Sequence, residues 1–182
     1  NDGIDLSRGE LITIADKDDW HHPQQIELQV RDLMEHPDRV ANMTNWVRVD
    51  EHLRMMLRSA TGKVFYPSLP SIMFRRDPVV QDLGYWDTVR KSGDSEYKSR
   101  IENYYGIKIE PIVQAPLAFA LMEGGNLTRD DMGVGYLAPD RRAYLRAYKN
   151  WHRAIREEDA SPYMPKAAAD RQFVSPGAYL PG

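Results

Sequence analysis

The stretch ITIADKDDWHHP, residues 12–23, runs an apolar, β-branched segment into three aspartates within four positions and then into a proline. Leu11 to Ala15 reads as a short buried strand, and Pro23 suits the first turn of a helix. Asp16, Asp18 and Asp19 therefore gather at the carboxyl end of a strand. Three carboxylates so close repel one another, and the cluster costs stability unless a cation or hydrogen-bond donors compensate. Two readings follow: a solvated turn that caps the next helix, or a metal site.

Working outward, Ile26, Val30, Leu33 and Met34 recur at helical spacing until His36-Pro37 stops the helix. From Val40 to Val49 apolar Ala41, Met43, Val47 and Val49 alternate with polar residues and predict a second strand; Ser71 to Phe74 predicts a third. Asp77-Pro78 opens a short helix that Gly84 ends. A further helix is expected from about Ser95 to Tyr105, with Tyr97, Ile101 and Tyr104 on one face and Gly106 closing it. Ile107 to Val113 and Leu117 to Leu121 are strand-like and separated by prolines. A last helix, Arg141 to Ile155, carries the stripe Tyr144, Tyr148, Trp151 and Ile155. The residues after Arg156 turn to Pro, Ala and Gly, which divides the chain into a domain over 1–156 and an extension over 157–182 that wraps a surface or is partly disordered. Strands alternating with helices predict an α/β domain with a largely parallel sheet, and such sheets bind ligands beyond the carboxyl ends of their strands.

The totals narrow the function. A chain of 182 residues can bury one real core, and a net charge of −3 gives no basic footprint for nucleic acid. The absence of cysteine excludes disulfides, zinc-thiolate sites and thiol catalysis, and agrees with a cytoplasmic setting. No apolar run approaches the ~20 residues that span a bilayer, so membrane association is expected only through parts outside this chain. The sequons at Asn42 and Asn126 are read as chance. The chain opens at Asn1 without a Met, as a processed protein or a piece of a longer one would. Gly-x-Gly-x-x-Gly, Gly-Lys-Ser/Thr, Gly-x-Ser-x-Gly and His-Glu-x-x-His are all missing, which removes support for dinucleotide redox chemistry, P-loop phosphate binding and the commonest hydrolase elbows. What remains is a carboxylate-rich strand end, whose hard oxygens favour Mg²⁺ or Mn²⁺ bridged to a substrate diphosphate.

Asn1-x-Gly3, then Ser7-Arg8-Gly9-Glu10-Leu11-Ile12-Thr13-Ile14, then Asp16-x-Asp18-Asp19-Trp20 resembles the central block of family-2 glycosyltransferases of the GT-A fold. A second block, SIMFRRDPVVQDLGYWDTVRKSGDSEYKSRI at 71–101, resembles the acceptor half of the same family, with a Gly-aromatic-aromatic-Asp turn at Gly84–Asp87. The resemblance covers residues 1 to about 105. It implies a GT-A-like, mixed but mainly parallel sheet flanked by helices, here lacking the N-terminal nucleotide-binding strands, so that the chain is expected to be the central and acceptor-binding part of a longer enzyme. It implies inverting transfer from a nucleotide-diphosphate sugar to a saccharide acceptor with Mn²⁺ or Mg²⁺, of the kind that builds bacterial surface polysaccharide at the inner face of a membrane.

Carried onto this sequence, the family pattern makes Asp18 the metal ligand, with Asp16 and Asp19 beside it in the donor site. It makes Asp94 the general base, with Glu96 as the fallback and an acceptor-side residue, although Gly93 replaces the acidic residue that commonly precedes this aspartate. Trp86 and Asp87 form the acceptor platform, and His152 supplies a further metal ligand. Each has a structural counterpart: a helix N-cap for Asp94, a core plug for Trp86, a packed side chain for His152. His21 and His22 read as turn residues, and Arg75 or Arg76 as an offset to phosphate charge. The rival functions are a non-catalytic carbohydrate-binding or scaffolding module, and a metal-dependent phosphohydrolase built on the carboxylates.

Overall fold

The computed structural model describes residues 1–57, 62–122 and 138–181. The chain forms two compact units: Gly9–Arg76 with Ile109–Arg129, and Asn1–Arg8 with Asp77–Lys108 and Asp130–Gly182.

The first unit is a mixed sheet. Its strands are β1 (Leu11–Thr13), β2 (Asp19–His21), β3 (Ala41–Val49), β4 (Phe65–Pro67), β5 (Met73–Arg75) and β6 (Pro111–Leu121). The order is β1-β5-β3-β6-β2, with β4 also on β3. β1 and β2 are joined by a five-residue link yet lie at opposite ends of this path, which curls the sheet around the link between them. The mixed sheet agrees with the sequence reading; its mainly parallel character does not. Among the described residues only β3 and β6 run parallel, and the other four pairings are antiparallel. The reason lies on one edge of β3. There β5 and β4 act as two halves of a single antiparallel partner, interrupted opposite Thr44, where Ser71 Oγ accepts the Thr44 N–H and the Thr44 carbonyl accepts the Ser68 N–H.

Two further expectations change here. From Pro111 onward the two strand-like runs are one strand, β6, while residues 107–110 precede it, and the register to β3 shifts around Asn45. Pro116 lies at that irregularity, where a missing N–H is tolerated. β3 is buried almost throughout instead of alternating, because it is central and its polar side chains find partners. Asn42 donates to the Gln29 carbonyl and to Asp32, and Asn45 donates to the carbonyls of Val113 and Gln114. Burial of Asn42 fits the reading of its sequon as chance, while Asn126 lies outside the described residues.

Helix α2 (Gln25–Glu35) packs on β3, but on a face other than the one its apolar periodicity indicates. Gln25, Gln29 and Leu33 are buried; Ile26 and Met34 are 50% and 64% exposed. The glutamines are drawn in because each has a partner there. Gln25 Nε2 donates to Gln29 Oε1, and Gln29 Nε2 donates to Asn42 Oδ1 and the Ser71 carbonyl. Hydrogen bonding removes most of the penalty for burying an amide, so the polar ridge competes successfully with the apolar one. Arg75, expected as an offset to phosphate, instead donates to the carbonyls of Leu33 and Arg39 around the end of this helix.

The second unit is helical: α1 (Asp2–Leu6), α3 (Arg76–Leu83, entering it at Asp77), α4 (Gly93–Tyr105) and α5 (Pro139–Glu157). α4 packs on α5, whose buried stripe is Tyr144, Tyr148, Trp151 and His152. Residues 158–181 are an ordered part of this unit. Met164 donates its N–H to the Leu83 carbonyl and accepts the Tyr85 N–H, Ser161 accepts the Trp151 indole N–H at its carbonyl, and Tyr179 stacks on Tyr144.

Gly84 ends α3 at φ +69°, and a Cβ there would drive into the Met164 carbonyl oxygen and the Tyr163 ring. Gly84→Ala is therefore expected to destabilise by about 2–4 kcal/mol in urea denaturation, from positive-φ strain plus displaced main chain. Gly177→Ala, with nothing within 4 Å, is expected within about 0.5 kcal/mol of the parent.

Candidate functional site

The carboxylate cluster occupies the link after β1. The Asp19 N–H donates to the Asp16 carbonyl at 3.3 Å across a tight turn with Lys17 and Asp18 at its tip. Asp16 and Asp18 are exposed, while Asp19 is half-buried as the first residue of β2. The intervening strand removes the helix-cap reading: α2 begins at Gln25, after Pro23, and none of the three aspartates reaches it as a cap. Burial, then the charges of Asp16 and Asp18, push the Asp19 carboxyl up to about 6, against the pull of His21 and Arg48.

Register explains why Arg48 is felt there. Asp19 on β2 and Arg48 on β3 both lie opposite Ala120 of β6, so the three form one row on one face, with a small residue in the middle. The next row holds His21, Ala118 and Trp46. Arg48 lies over the Trp46 ring at 5.1 Å and donates to Met122 Sδ at 3.3 Å. His21 Nδ1 lies 3.1 Å from Gln25 Oε1, which extends the glutamine ridge of α2 to the edge of this face. Sequence reasoning missed Arg48 and Trp46, and it read His21 as a turn residue where the structure places it in β2. Even numbering along β3 places Trp46 and Arg48 together, but only the β2–β6 register, which no local pattern encodes, sets Asp19 opposite them.

The donor set at the turn is oxygen only. That suits Mg²⁺ or Mn²⁺, which take one or two carboxylates and complete their shell from water and substrate phosphates. Among the described residues no three His, Asp or Glu side chains converge as a ready-made metal cage. The turn can thus contribute ligands but not close a site alone.

The helical unit holds the other expected residues. Gly84-Tyr85-Trp86-Asp87 leaves α3 as a turn held at every residue. Asn1 brackets Trp86, accepting its N–H at 3.1 Å and donating to its carbonyl at 2.9 Å. The Trp86 ring stacks on Tyr97 with centroids 4.0 Å apart. The Asp87 carboxylate is buried, accepts the Tyr144 hydroxyl at 3.0 Å and pairs with Arg171 at 2.8 Å. Both of its oxygens are engaged, so Asp87 fixes the turn instead of offering a carboxylate to an acceptor.

Asp94 is the second residue of α4, not its N-cap; Ser92 holds that place at φ +65°. Asp94 Oδ1 accepts the Ser95 N–H at 2.8 Å, and burial lifts the carboxyl above the ordinary carboxylate range against the pull of Ser95 and Arg141. Glu96 and His152, expected to face acceptor and metal, instead meet one another. Glu96 is fully buried between Arg100, whose Nε lies 3.0 Å from Oε1, and His152, whose Nε2 lies 2.9 Å from the same oxygen. His152 Nδ1 lies 3.2 Å from Ser99 Oγ. Both ring nitrogens are taken by protein groups, which leaves no nitrogen for a metal ion, and Glu96 has no solvent-facing oxygen for a sugar hydroxyl.

Two outcomes are expected from these environments. In metal-free buffer, Asp19→Asn should stabilise the chain by on the order of 2 kcal/mol near neutral pH. A carboxyl whose folded pKa is raised opposes folding once ionised, so the gain should shrink as pH falls from about 6 towards 3.8 and vanish below it. Thermal melts of both proteins across that range measure it. Separately, Glu96→Ala should cost about 3–5 kcal/mol in urea denaturation because it strands a buried guanidinium.

The family model described as glycosyl transferase family 2 matches residues 1–91, half of the 182. No curated protein gives a significant match to the chain. The matched segment contains the aspartate turn, β1 to β5, α3 and the Gly84–Asp87 turn. The mixed α/β architecture and curled mixed sheet are those of a GT-A-like domain, and among the described residues no helix is long and apolar enough to cross a membrane. The chain belongs to the family-2 glycosyltransferases.

Proposed function

We propose that this chain serves inverting, metal-dependent transfer of a sugar from a nucleotide-diphosphate donor to a saccharide acceptor. The observation that carries the reading is the turn Asp16–Asp19, three carboxylates presented at the end of β1 within the segment that matches the family. Asp18, exposed at the tip, is the ligand assigned to the divalent ion; Asp16 shares the ion or the ribose, and Asp19 backs them. Mg²⁺ or Mn²⁺ bound there would neutralise the diphosphate as it leaves.

Asp94 is the assigned general base. As the acceptor oxygen bonds to the anomeric carbon, the bond from that carbon to the diphosphate oxygen breaks, the nucleoside diphosphate keeps the electron pair, and the hydroxyl proton passes to the Asp94 carboxylate. A base works best with its pKa near the operating pH, and burial moves Asp94 in that direction. Trp86, stacked on Tyr97, offers the acceptor an aromatic edge fixed in place. Assembly of a surface polysaccharide at the inner face of a membrane is the setting that fits this chemistry, with any anchorage supplied by other parts of the protein.

Thermal shift against UDP-, GDP-, dTDP- and CDP-sugars, with and without Mn²⁺, tests the donor half. One nucleotide class should give a Mn²⁺-dependent shift that Asp18→Asn abolishes; a shift indifferent to both Mn²⁺ and Asp18 would contradict the reading. For the transfer half, Asp94→Asn should lower the rate by about 10²- to 10⁴-fold while leaving that shift in place. The acidic limb of kcat/KM should lie above the ordinary carboxylate range, because activity needs Asp94 ionised, and it should be absent from the variant.

A further inference from the structure

The turn Gly84–Asp87 is held largely from beyond the segment that matches the family. Residues 158–181 contribute three attachments to it. The Met164 main chain bridges Leu83 and Tyr85, accepting the Tyr85 N–H at 3.0 Å and donating to the Leu83 carbonyl at 2.9 Å. Arg171 pairs with Asp87 at 2.8 Å and donates to the Thr88 carbonyl at 3.0 Å. The Tyr179 carbonyl accepts the Arg90 N–H at 2.8 Å, with the Tyr179 ring packed on Tyr144, whose hydroxyl is the other partner of Asp87. These attachments span Leu83 to Arg90, on both sides of Trp86.

We propose that this C-terminal strap is a positioning element for the acceptor turn and that Arg171 is its principal positioning residue, fixing Asp87 and through it the angle at which Trp86 is presented. The inference rests on the reading of Trp86 as an acceptor contact. Arg171 suits the part because its guanidinium reaches a carboxylate and a main-chain carbonyl at once, which orients the loop as well as tethering it. Loss of Arg171 leaves Asp87 buried with only the Tyr144 hydroxyl, an arrangement the loop can relieve only by moving. The glycine at position 84 belongs to the same device, since only a residue without Cβ admits the Met164 carbonyl.

The test uses the full chain and the variants Arg171→Ala, Arg171→Lys and Trp86→Ala. Hydrogen exchange needs no substrate. Arg171→Ala should speed exchange at residues 85–90 by about tenfold while α4 amides from Tyr97 to Tyr105 keep their protection. With the sugar nucleotide that gives the thermal shift, Mn²⁺ and a panel of mono- and disaccharides, Arg171→Ala should raise the acceptor KM by about tenfold. Nucleotide release to water should stay within about twofold, since the donor half is untouched. Arg171→Lys, which keeps the charge, should recover most of the loss. Unchanged exchange at 85–90, an equal rise across α4, or equal loss of transfer and of nucleotide release would each overturn the proposal. Trp86→Ala separates the two possible failures. A normal acceptor KM in that variant overturns the acceptor reading, whereas a raised KM there beside a normal one in Arg171→Ala overturns the strap alone.

Discussion

The helical unit depends on one buried guanidinium. Arg100 is fully buried, donates to the carbonyls of Leu83 and Tyr85, pairs with Glu96 and lies between the rings of Tyr97 and Trp151. Burying such a charge is tolerable only when hydrogen bonds and a close counter-charge compensate its lost hydration. That demand fixes Glu96 one turn back on α4, brings His152 of α5 onto Glu96, and ties the end of α3 to both helices. Asp94 lies two residues before Glu96, so the residue proposed as base sits in the turn of α4 that this network anchors. The strap closes on the same region, with its carbonyl at Pro162 also within reach of Arg100.

The sheet unit makes the opposite use of charge. There the carboxylates of Asp16 and Asp18 stand exposed, and Asp19 is held where burial and like charge both work against ionisation. The structure thus satisfies its buried carboxylate at Glu96 within the fold, whereas Asp16 and Asp18 stand at the surface at the end of β1. Arg48, in the same row as Asp19 across Ala120, draws the Asp19 carboxyl back towards ionisation.

The sequence carried the positions of most elements, because apolar runs, Pro23, Gly84 and Gly106 are local signals. It could not carry strand direction, since antiparallel β4 and β5 depend on how Ser68 and Ser71 engage Thr44. The buried face of α2 does not follow its apolar spacing because the partners that draw Gln29 inward, Asn42 and Ser71, come from other parts of the chain. The aspartate turn stood out in the sequence by its spacing, and Asp94 through the family resemblance; the roles given to both are proposals. Glu96, His152 and Asp87 were misassigned for a common reason: a charged residue in a motif looks like a ligand until its buried partners, here Arg100 and Arg171, are known from distant segments.

The transfer proposed for this chain is a single displacement in which an acceptor oxygen replaces the diphosphate from the opposite side of the sugar, with Asp94 as base. The anomeric configuration of the product tests it most directly, read by proton NMR coupling immediately after transfer from an α-linked nucleotide-diphosphate sugar. A β-linked product is expected. An α-linked product would contradict the account, because it would require a second nucleophilic event or front-side attack for which Asp94 has no part as drawn.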